Sequence, residues 1–188
     1  IETICKPYGI ENPELKCEIY LDDEEKENVH KKLKTLPGEF ITIEPFSKKN
    51  YTPNRIYPFE KWQKVVNIIS KKIPVVQIGV KGNILENAIN FTGKTSFREA
   101  TGIIENSNLF VSSEGGLVHA ATSTNTKSLV VITGYQKNKM VAYPQNINID
   151  ISNHGPCGLK IPCKECIKDA DTHDFKEIVK EIEKILCL

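Results

Sequence analysis

Short β-branched apolar runs alternate with stretches of helical period from residue 40 onward. Phe40-Ile41-Thr42-Ile43-Glu44-Pro45 predicts a strand stopped by proline. Phe59, Trp62, Val65, Val66 and Ile69 recur at helical spacing between Pro58 and Lys71, a helix opened by proline in its first turn. Pro74-Val75-Val76-Gln77-Ile78-Gly79 predicts a second buried strand, and Ile89-Asn90-Phe91-Thr92 a weaker third closed by Gly93. Ser96 and Glu99 form a capping box for a helix running to about Asn106. Leu109-Phe110-Val111-Ser112 and Ser128-Leu129-Val130-Val131-Ile132 predict two further strands, with a helix from Glu114-Gly115-Gly116 through Thr122 between them. Phe175, Ile178, Val179, Ile182, Ile185 and Leu186 mark a closing amphipathic helix whose other face is Lys and Glu.

Strands separated by single helices require right-handed crossovers, so the expected class is α/β: a doubly wound, mostly parallel, Rossmann-like sheet flanked by helices. The first 38 residues have a different character. Asp22 to Leu36 predicts a charged helix, with Asp22, Asp23, Glu24 and Glu25 at its start and Lys31, Lys32 and Lys34 near its end, which suits the helix dipole. Leu36-Pro37-Gly38 punctuates the chain before the first core strand, and residues 1–21 form a loose lead-in with an edge strand expected at Cys17 to Leu21. The expected division is therefore a lead-in over 1–38 and a nucleotide-binding type of domain over 39–188.

Composition narrows the function classes. Lys plus Arg number 25 against 24 Asp plus Glu, a net charge of +1, which argues against nucleic-acid binding through bulk charge. No apolar run approaches the roughly 20 residues of a membrane-spanning helix. The chain opens at Ile1, and with its 188 residues this leads to the expectation of a piece of a larger protein. Of six cysteines, Cys157, Cys163 and Cys166 fall close together, which suggests reduced thiols or a metal in a cytoplasmic compartment. Cys157, Cys163 and Cys166 with His154, and with His173 further on, have donors for a tetrahedral zinc site; free thiols and a disulfide between two of the three are the alternatives.

In doubly wound sheets, ligands bind beyond the carboxyl ends of the strands. Ser112-Ser113-Glu114-Gly115-Gly116-Leu117-Val118-His119-Ala120-Ala121 is a strand end, a glycine turn and a helix start, offering backbone N–H groups to an anion. Glu114 is placed to accept hydrogen bonds from sugar or ribose hydroxyls, and His119 lies one turn into the helix. A plain strand-turn-helix with no ligand fits the same residues. A second cluster follows the first strand, where Ser47 and Arg55 could bind a diphosphate, Arg55 in bidentate fashion. A solvated basic loop is the alternative there, and Tyr57 and Trp62 are read as packing groups.

Three segments, in this order, carry a resemblance. Arg55-Ile56-Tyr57-Pro58-Phe59-Glu60-Lys61-Trp62 resembles the Lys-Arg-Trp-Pro-x-Glu-x-Trp segment of glycosyltransferase family nine, the heptosyltransferase-like enzymes. Phe91-Thr92-Gly93-Lys94-Thr95-Ser96-Phe97-Arg98-Glu99-Ala100 is similar to that family's Thr-Gly-Lys-Thr-Ser-Leu-Arg-Glu turn, and Glu114-Gly115-Gly116-Leu117-Val118-His119-Ala120-Ala121 to its Asp-Ser-Gly-x-x-His-x-Ala signature. Gly9-Ile10 and residues 18–36 fit its interdomain region, so the likeness covers nearly the whole chain.

The resemblance implies one half of a GT-B fold, the C-terminal donor-binding domain, with the N-terminal acceptor domain absent. It implies transfer of a sugar from a nucleotide-diphosphate donor, usually ADP-heptose, to a lipopolysaccharide or related glycan or lipid-linked acceptor. It further implies an inactive isolated chain, no cofactor for transfer, and peripheral inner-membrane association of the full-length enzyme. Ser47, Arg55 and the backbone of Gly115, Gly116 and Leu117 would hold the diphosphate, Glu114 and His119 would face the donor sugar or ribose, and the general base would come from the missing domain. Glu114 and Gly115 depart from the family's Asp and Ser, and the family's ribose-binding carboxylate has only Glu86 as a nearby counterpart. A nucleotide-sugar epimerase of the same fold and a non-catalytic nucleotide-sugar binding module are the alternative functions.

Overall fold

The computed structural model describes residues 5–46 and 51–188. Six strands form one sheet: β1 (Ile41–Glu44), β2 (Val75–Gln77), β3 (Ile89–Asn90), β4 (Leu109–Ser113), β5 (Ser128–Ile132) and β6 (Ile147–Asp150). Their order is β3-β2-β1-β4-β5-β6, and every neighbouring pair is parallel. This is the strand order of a Rossmann-like sheet, whose winding reverses between β1 and β4. Seven α-helices accompany it among the described residues: α1 (Asp23–Leu33), α2 (Phe59–Ile69), α3 (Phe97–Glu105), α4 (Gly116–Ala121), α5 (Asn138–Val141), α6 (Lys164–Thr172) and α7 (Lys176–Leu186).

Side-chain alternation along each strand divides the interior into two layers. Ile41, Ile43, Leu109, Val111, Leu129 and Val131 face α2 and α7, where Trp62, Val65, Val66, Ile69, Ile178 and Ile182 close the first core. Phe110, Val130, Ile132, Val76 and Ile78 face the other way onto Ala100, Ile103 and Ile104 of α3 and Leu117, Val118, Ala120 and Ala121 of α4. Tyr57 and Trp62 are fully buried packing groups, as expected, in an edge-to-face pair 5.1 Å apart.

The predicted capping box of α3 is present: Ser96 accepts from the Glu99 N–H and Glu99 accepts from the Ser96 N–H. Asp22 and Glu25 make a second box at the start of α1. That helix ends at Leu33, short of the expected Leu36, because residues 34–36 tighten into a turn in which the Leu36 N–H donates to the Leu33 carbonyl. Pro37 accounts for the stop, since the residue before a proline avoids helical backbone angles.

The edge strand expected at Cys17 to Leu21 does not form. β3 and β6 occupy the two sheet edges, and the segment instead crosses the helical layer. There the Cys17 N–H donates to Thr122 Oγ1, and Leu15, Ile19 and Leu21 pack on the second core. The alternation that resembled a strand is that of an extended chain with one side on helices. Strand β6 and helices α5 and α6 were not anticipated.

The charged lead-in helix is docked on the Rossmann-like body. Glu25 receives Arg98 Nε at 2.6 Å, and Lys32 Nζ lies 3.4 Å from Glu99 Oε1. Gly102 makes the approach possible: a Cβ there would lie 2.9 Å from Val29 and 3.0 Å from Leu21 side-chain atoms. Gly102→Val is therefore expected to lower stability by about 1–3 kcal/mol through overpacking, read as a lower urea midpoint. An unchanged midpoint would show that α1 does not rest on α3.

Candidate functional site

Winding reverses between β1 and β4, so the loops leaving these strands diverge and open a crevice at their carboxyl ends. Glu44 ends β1 opposite Ser112 of β4, and Ser113, Glu114 and Gly115 follow. Glu114 is only 3% exposed by side chain, and Arg55 Nε lies 2.5 Å from its Oε1. That approach is off the hydrogen-bonding direction, so charge holds the pair, while Arg55 Nη2 donates to the Glu114 carbonyl at 3.1 Å. Burial pushes the Glu114 carboxyl above its usual range and the guanidinium works against that shift.

Arg55 reaches Glu114 from a 3-10 turn, Pro53–Arg55, that begins at Thr52 and is tied down on its other side. Thr52 Oγ1 donates to the Leu159 carbonyl, and Asn54 Nδ2 donates to the carbonyls of Leu159 and Ile161 at 2.7 and 2.9 Å. Asn54 Oδ1 accepts the Cys163 N–H at 2.8 Å. Further along the same segment, Tyr57 meets His173 Nδ1, and Lys61 Nζ donates to the carbonyls of Ala170, Asp171 and His173, closing the end of α6.

Two hollows lie along the crevice. The smaller, about 110 Å³, is lined by Arg55, Glu114, Gly115, Val118, His119, Gln136 and Val141. His119 is exposed overall, but its ring lies edge-on to Tyr143 with Nδ1 2.7 Å from the Tyr143 hydroxyl. Desolvation of the ring and the Arg55 charge push its pKa below the ordinary histidine value, favouring neutral imidazole. The larger hollow, about 330 Å³, is bounded by Glu44, Gly79, Lys81, Ser96, Phe97 and Leu117, among others. Gly79 has a φ of +105° and passes so close to Glu44 that a Cβ would lie 3.1 Å from its side chain. Glu44 is itself 5% exposed, accepts from Ser112 Oγ, and is pushed up to about 8 by burial.

The structure thus gathers Arg55, Glu114, Gly115 and His119 around one hollow, and places Leu117 on the wall of the other. Gly116 is exposed at the start of α4 between them. Ser47 lies outside the described residues. Glu86 is exposed and held through its backbone by Gln63, away from both hollows. Sequence reasoning included Ser113 in the candidate turn without giving it a role and passed over Thr133; each is 2% exposed, with a hydroxyl buried without a hydrogen-bond partner. It passed over Glu44 too, although a carboxylate ending an apolar strand is itself a signal.

His154, Cys163 and Cys166 converge, with their donor atoms within 4.8 Å of one another. Cys157 joins through Cys166, 3.3 Å away. The cysteines are free, so no disulfide links them in this structure. His173 is engaged with Tyr57 and Glu177 and takes no part in the cluster.

Two expectations follow from the two carboxylates. Arg55→Ala leaves Glu114 buried and unpaired, a loss of about 3 kcal/mol at pH 7. The loss should shrink as the pH is lowered and the carboxyl takes up a proton, and a second change, Glu114→Gln, should restore most of it. Urea unfolding of the three proteins checks this, and a single variant as stable as the parent at pH 7 would remove the pairing. For Glu44, the native state keeps its proton to about pH 8 whereas the unfolded chain releases it near the ordinary 4.5. Native protein then binds more protons across that window, so stability falls as pH rises through it. Glu44→Gln should flatten this part of the stability profile; an unchanged slope counts against a protonated Glu44.

Residues 2–171 match the profile of glycosyltransferase family 9 (heptosyltransferase). Among solved structures, the glycosyl transferase family 9 protein from Veillonella parvula superposes with a TM-score of 0.75 at 16% identity, over 98% of this chain and 58% of that one. The E. coli ADP-heptose lps heptosyltransferase II gives a TM-score of 0.70 at 14% identity, over 96% of this chain and 56% of that one. TibC from enterotoxigenic E. coli, an iron-containing dodecameric glycosyltransferase, gives 0.67 at 13% identity over 80% of this chain and 45% of its own. The chain therefore spans little more than half the length of the structures it matches. Among curated proteins, none matches the sequence. The family profile covers most of the chain and the solved structures share its fold: the chain belongs to glycosyltransferase family 9, the heptosyltransferase family.

Proposed function

We propose that this chain is the donor-binding half of a GT-B heptosyltransferase, taking up a nucleotide-diphosphate sugar of the ADP-heptose type for transfer to a lipopolysaccharide or related glycan. The observation that carries the proposal is the set of buried polar groups left unmatched at the carboxyl ends of β4 and β5. Ser113 Oγ, Thr133 Oγ1 and Glu114 Oε2 are buried without protein partners. Buried polar groups in this condition are rare and call for a ligand or ordered water.

On this proposal the nucleoside lies in the larger hollow against Phe97 and Leu117. The diphosphate crosses the Gly115–Leu117 turn, whose first helical N–H groups have no partners within the helix. The sugar meets Glu114 and His119 in the smaller hollow. Arg55 commits Nε and Nη2 to Glu114, and its remaining donors are left for a phosphate oxygen, with Ser47 as the second proposed ligand. A fixed cation and oriented N–H groups neutralise charge as it develops on the departing diphosphate, so the transfer itself needs no cofactor. The base that deprotonates the acceptor hydroxyl comes from a further domain of the full-length enzyme, and the isolated chain binds donor without transferring sugar. The domain division is a lead-in over 1–38 and a donor domain over 39–188, although the lead-in helix is packed on the donor domain. No described helix is long and apolar enough to cross a membrane. The full-length enzyme is proposed to work in the cytoplasm, peripheral to the inner membrane where lipid-linked acceptors lie.

Calorimetric titration of the chain with ADP, UDP and GDP tests the donor site. ADP should bind weakly, with a Kd on the order of 0.1–1 mM, equivalent to roughly 4–5.5 kcal/mol. No heat from any of the three at millimolar ligand removes the donor site.

A further inference from the structure

The His154–cysteine cluster adjoins Asn54 of the Pro53–Arg55 turn and has the layout of a metal site. Cys166 Sγ is 3.4 Å and Cys163 Sγ 3.9 Å from His154 Nε2, and Cys157 Sγ is 3.3 Å from Cys166 Sγ. Tetrahedral coordination at ordinary metal–sulfur and metal–nitrogen lengths separates sulfurs by about 3.8 Å and sulfur from nitrogen by about 3.5 Å. The His154 ring is oriented from behind: its Nδ1 lies 2.7 Å from Asp169 Oδ2, which directs Nε2 at the thiols. Asp169 is in turn fixed by the Asn153 N–H and side-chain amide. A carboxylate that orients a histidine in this way is the usual support behind a metal ligand.

The backbone is shaped to the same end. Gly134 lies under His154 so closely that a Cβ would sit 2.8 Å from its Cε1. Cys157 N–H donates to the Gly134 carbonyl and Gly158 N–H to the Tyr135 carbonyl, which seats the cysteine loop on the end of β5. Cys163 and Cys166 are buried on either side of the start of α6, two residues apart in a Cys-x-x-Cys pair. Cys163 also meets Glu165 at 3.3 Å.

We propose that His154, Cys157, Cys163 and Cys166 bind one divalent transition-metal ion of the zinc or ferrous class, and that this ion holds the turn that aims Arg55 at Glu114. Three sulfurs and one imidazole suit either ion, and a rotation of the Cys157 side chain completes the set. The mechanical connection runs through Asn54. It is 2% exposed, lies 3.7 Å from Cys157 Sγ, accepts the Cys163 N–H, and immediately precedes Arg55. Metal occupancy stands independently of the nucleotide proposal; only the effect on Arg55 rests on it.

The test starts from the intact chain purified under reducing conditions, with zinc and iron measured by elemental analysis. About one equivalent of zinc plus iron is expected per chain. Cobalt(II) added to chelator-stripped protein should give the intense visible bands of a tetrahedral thiolate site, and Cys166→Ser should weaken them while Cys187→Ser leaves them unchanged. Less than about a tenth of an equivalent together with no cobalt spectrum overturns the site, as does a Cys157–Cys166 disulfide found by mass spectrometry of the freshly purified protein. Circular dichroism of each variant separates lost metal from lost fold. ADP affinity is then compared between loaded and stripped protein, with a weakening of roughly tenfold expected on stripping. Equal affinity overturns the link to Arg55 and leaves the metal site standing. ADP failing to bind even the loaded protein refutes the donor site and the link, and again leaves the metal measurement untouched.

Discussion

A carboxylate only 3% exposed at the end of a central strand must be neutralised, and the rest of the crevice is arranged around how this is done for Glu114. Arg55 supplies the charge, but a long side chain gains little from an ion pair if it must first be ordered from a free loop. The Pro53–Arg55 turn is therefore not free. Thr52 and Asn54 lock it to the loop at Leu159 to Cys163, and Tyr57 and Lys61 lock the following residues to the end of α6. The segment that resembles a family signature is thus mostly a clamp. One of its side chains, Arg55, faces the crevice and pairs with Glu114, while Tyr57 and Lys61 hold the end of α6.

Glu114 stands where the resemblance leads one to expect aspartate, and it is the longer carboxylate arm that meets Arg55 Nε. The sequence alone suggested separate duties, Arg55 for phosphate and Glu114 for sugar. The structure joins them, so each residue sets the charge and direction of the other. Removing either changes both stability and site, which is why the paired substitution is more informative than a single one.

The sheet was legible in the chain wherever the strands are buried on both faces. β1, β2, β4 and β5 are buried at every position and carry short β-branched or aromatic apolar stretches, which read as strands buried on both faces. β6, Ile147-Asn148-Ile149-Asp150, lies at an edge and carries the apolar–polar alternation of a half-buried strand, a signal that was present but too short to stand out from the loops on either side. Cys17 to Leu21 shows the converse, an alternating pattern that serves helix packing. The cysteine spacing marked a cluster, but nothing in local sequence joins His154 to Asp169, or Asn54 to Cys163. Those contacts span 15 and 109 residues and exist only once the crossovers are made. The buried hydroxyls of Ser113 and Thr133 were hidden for a similar reason, since strand-end Ser and Thr are common and only burial without a partner distinguishes them.

A crevice edged by two buried carboxylates is electrostatically awkward for the anion proposed to bind there, and the geometry resolves it in two different ways. Glu114 is matched by a cation, so the pair presents little net charge while leaving Oε2 free of protein partners. Among the described residues no cation pairs with Glu44; burial instead raises its pKa to about 8, which favours the protonated acid at neutral pH. A protonated carboxyl can donate a hydrogen bond, which a carboxylate cannot. Glu44 therefore faces the larger hollow as a neutral group able to donate, where the proposed nucleoside offers acceptors. On the proposed reading the two acids serve opposite polarities within one crevice, Glu114 accepting from sugar hydroxyls and Glu44 donating toward oxygen. Which role each takes is decided by whether Arg55 or the low-dielectric end of β1 is its nearest neighbour.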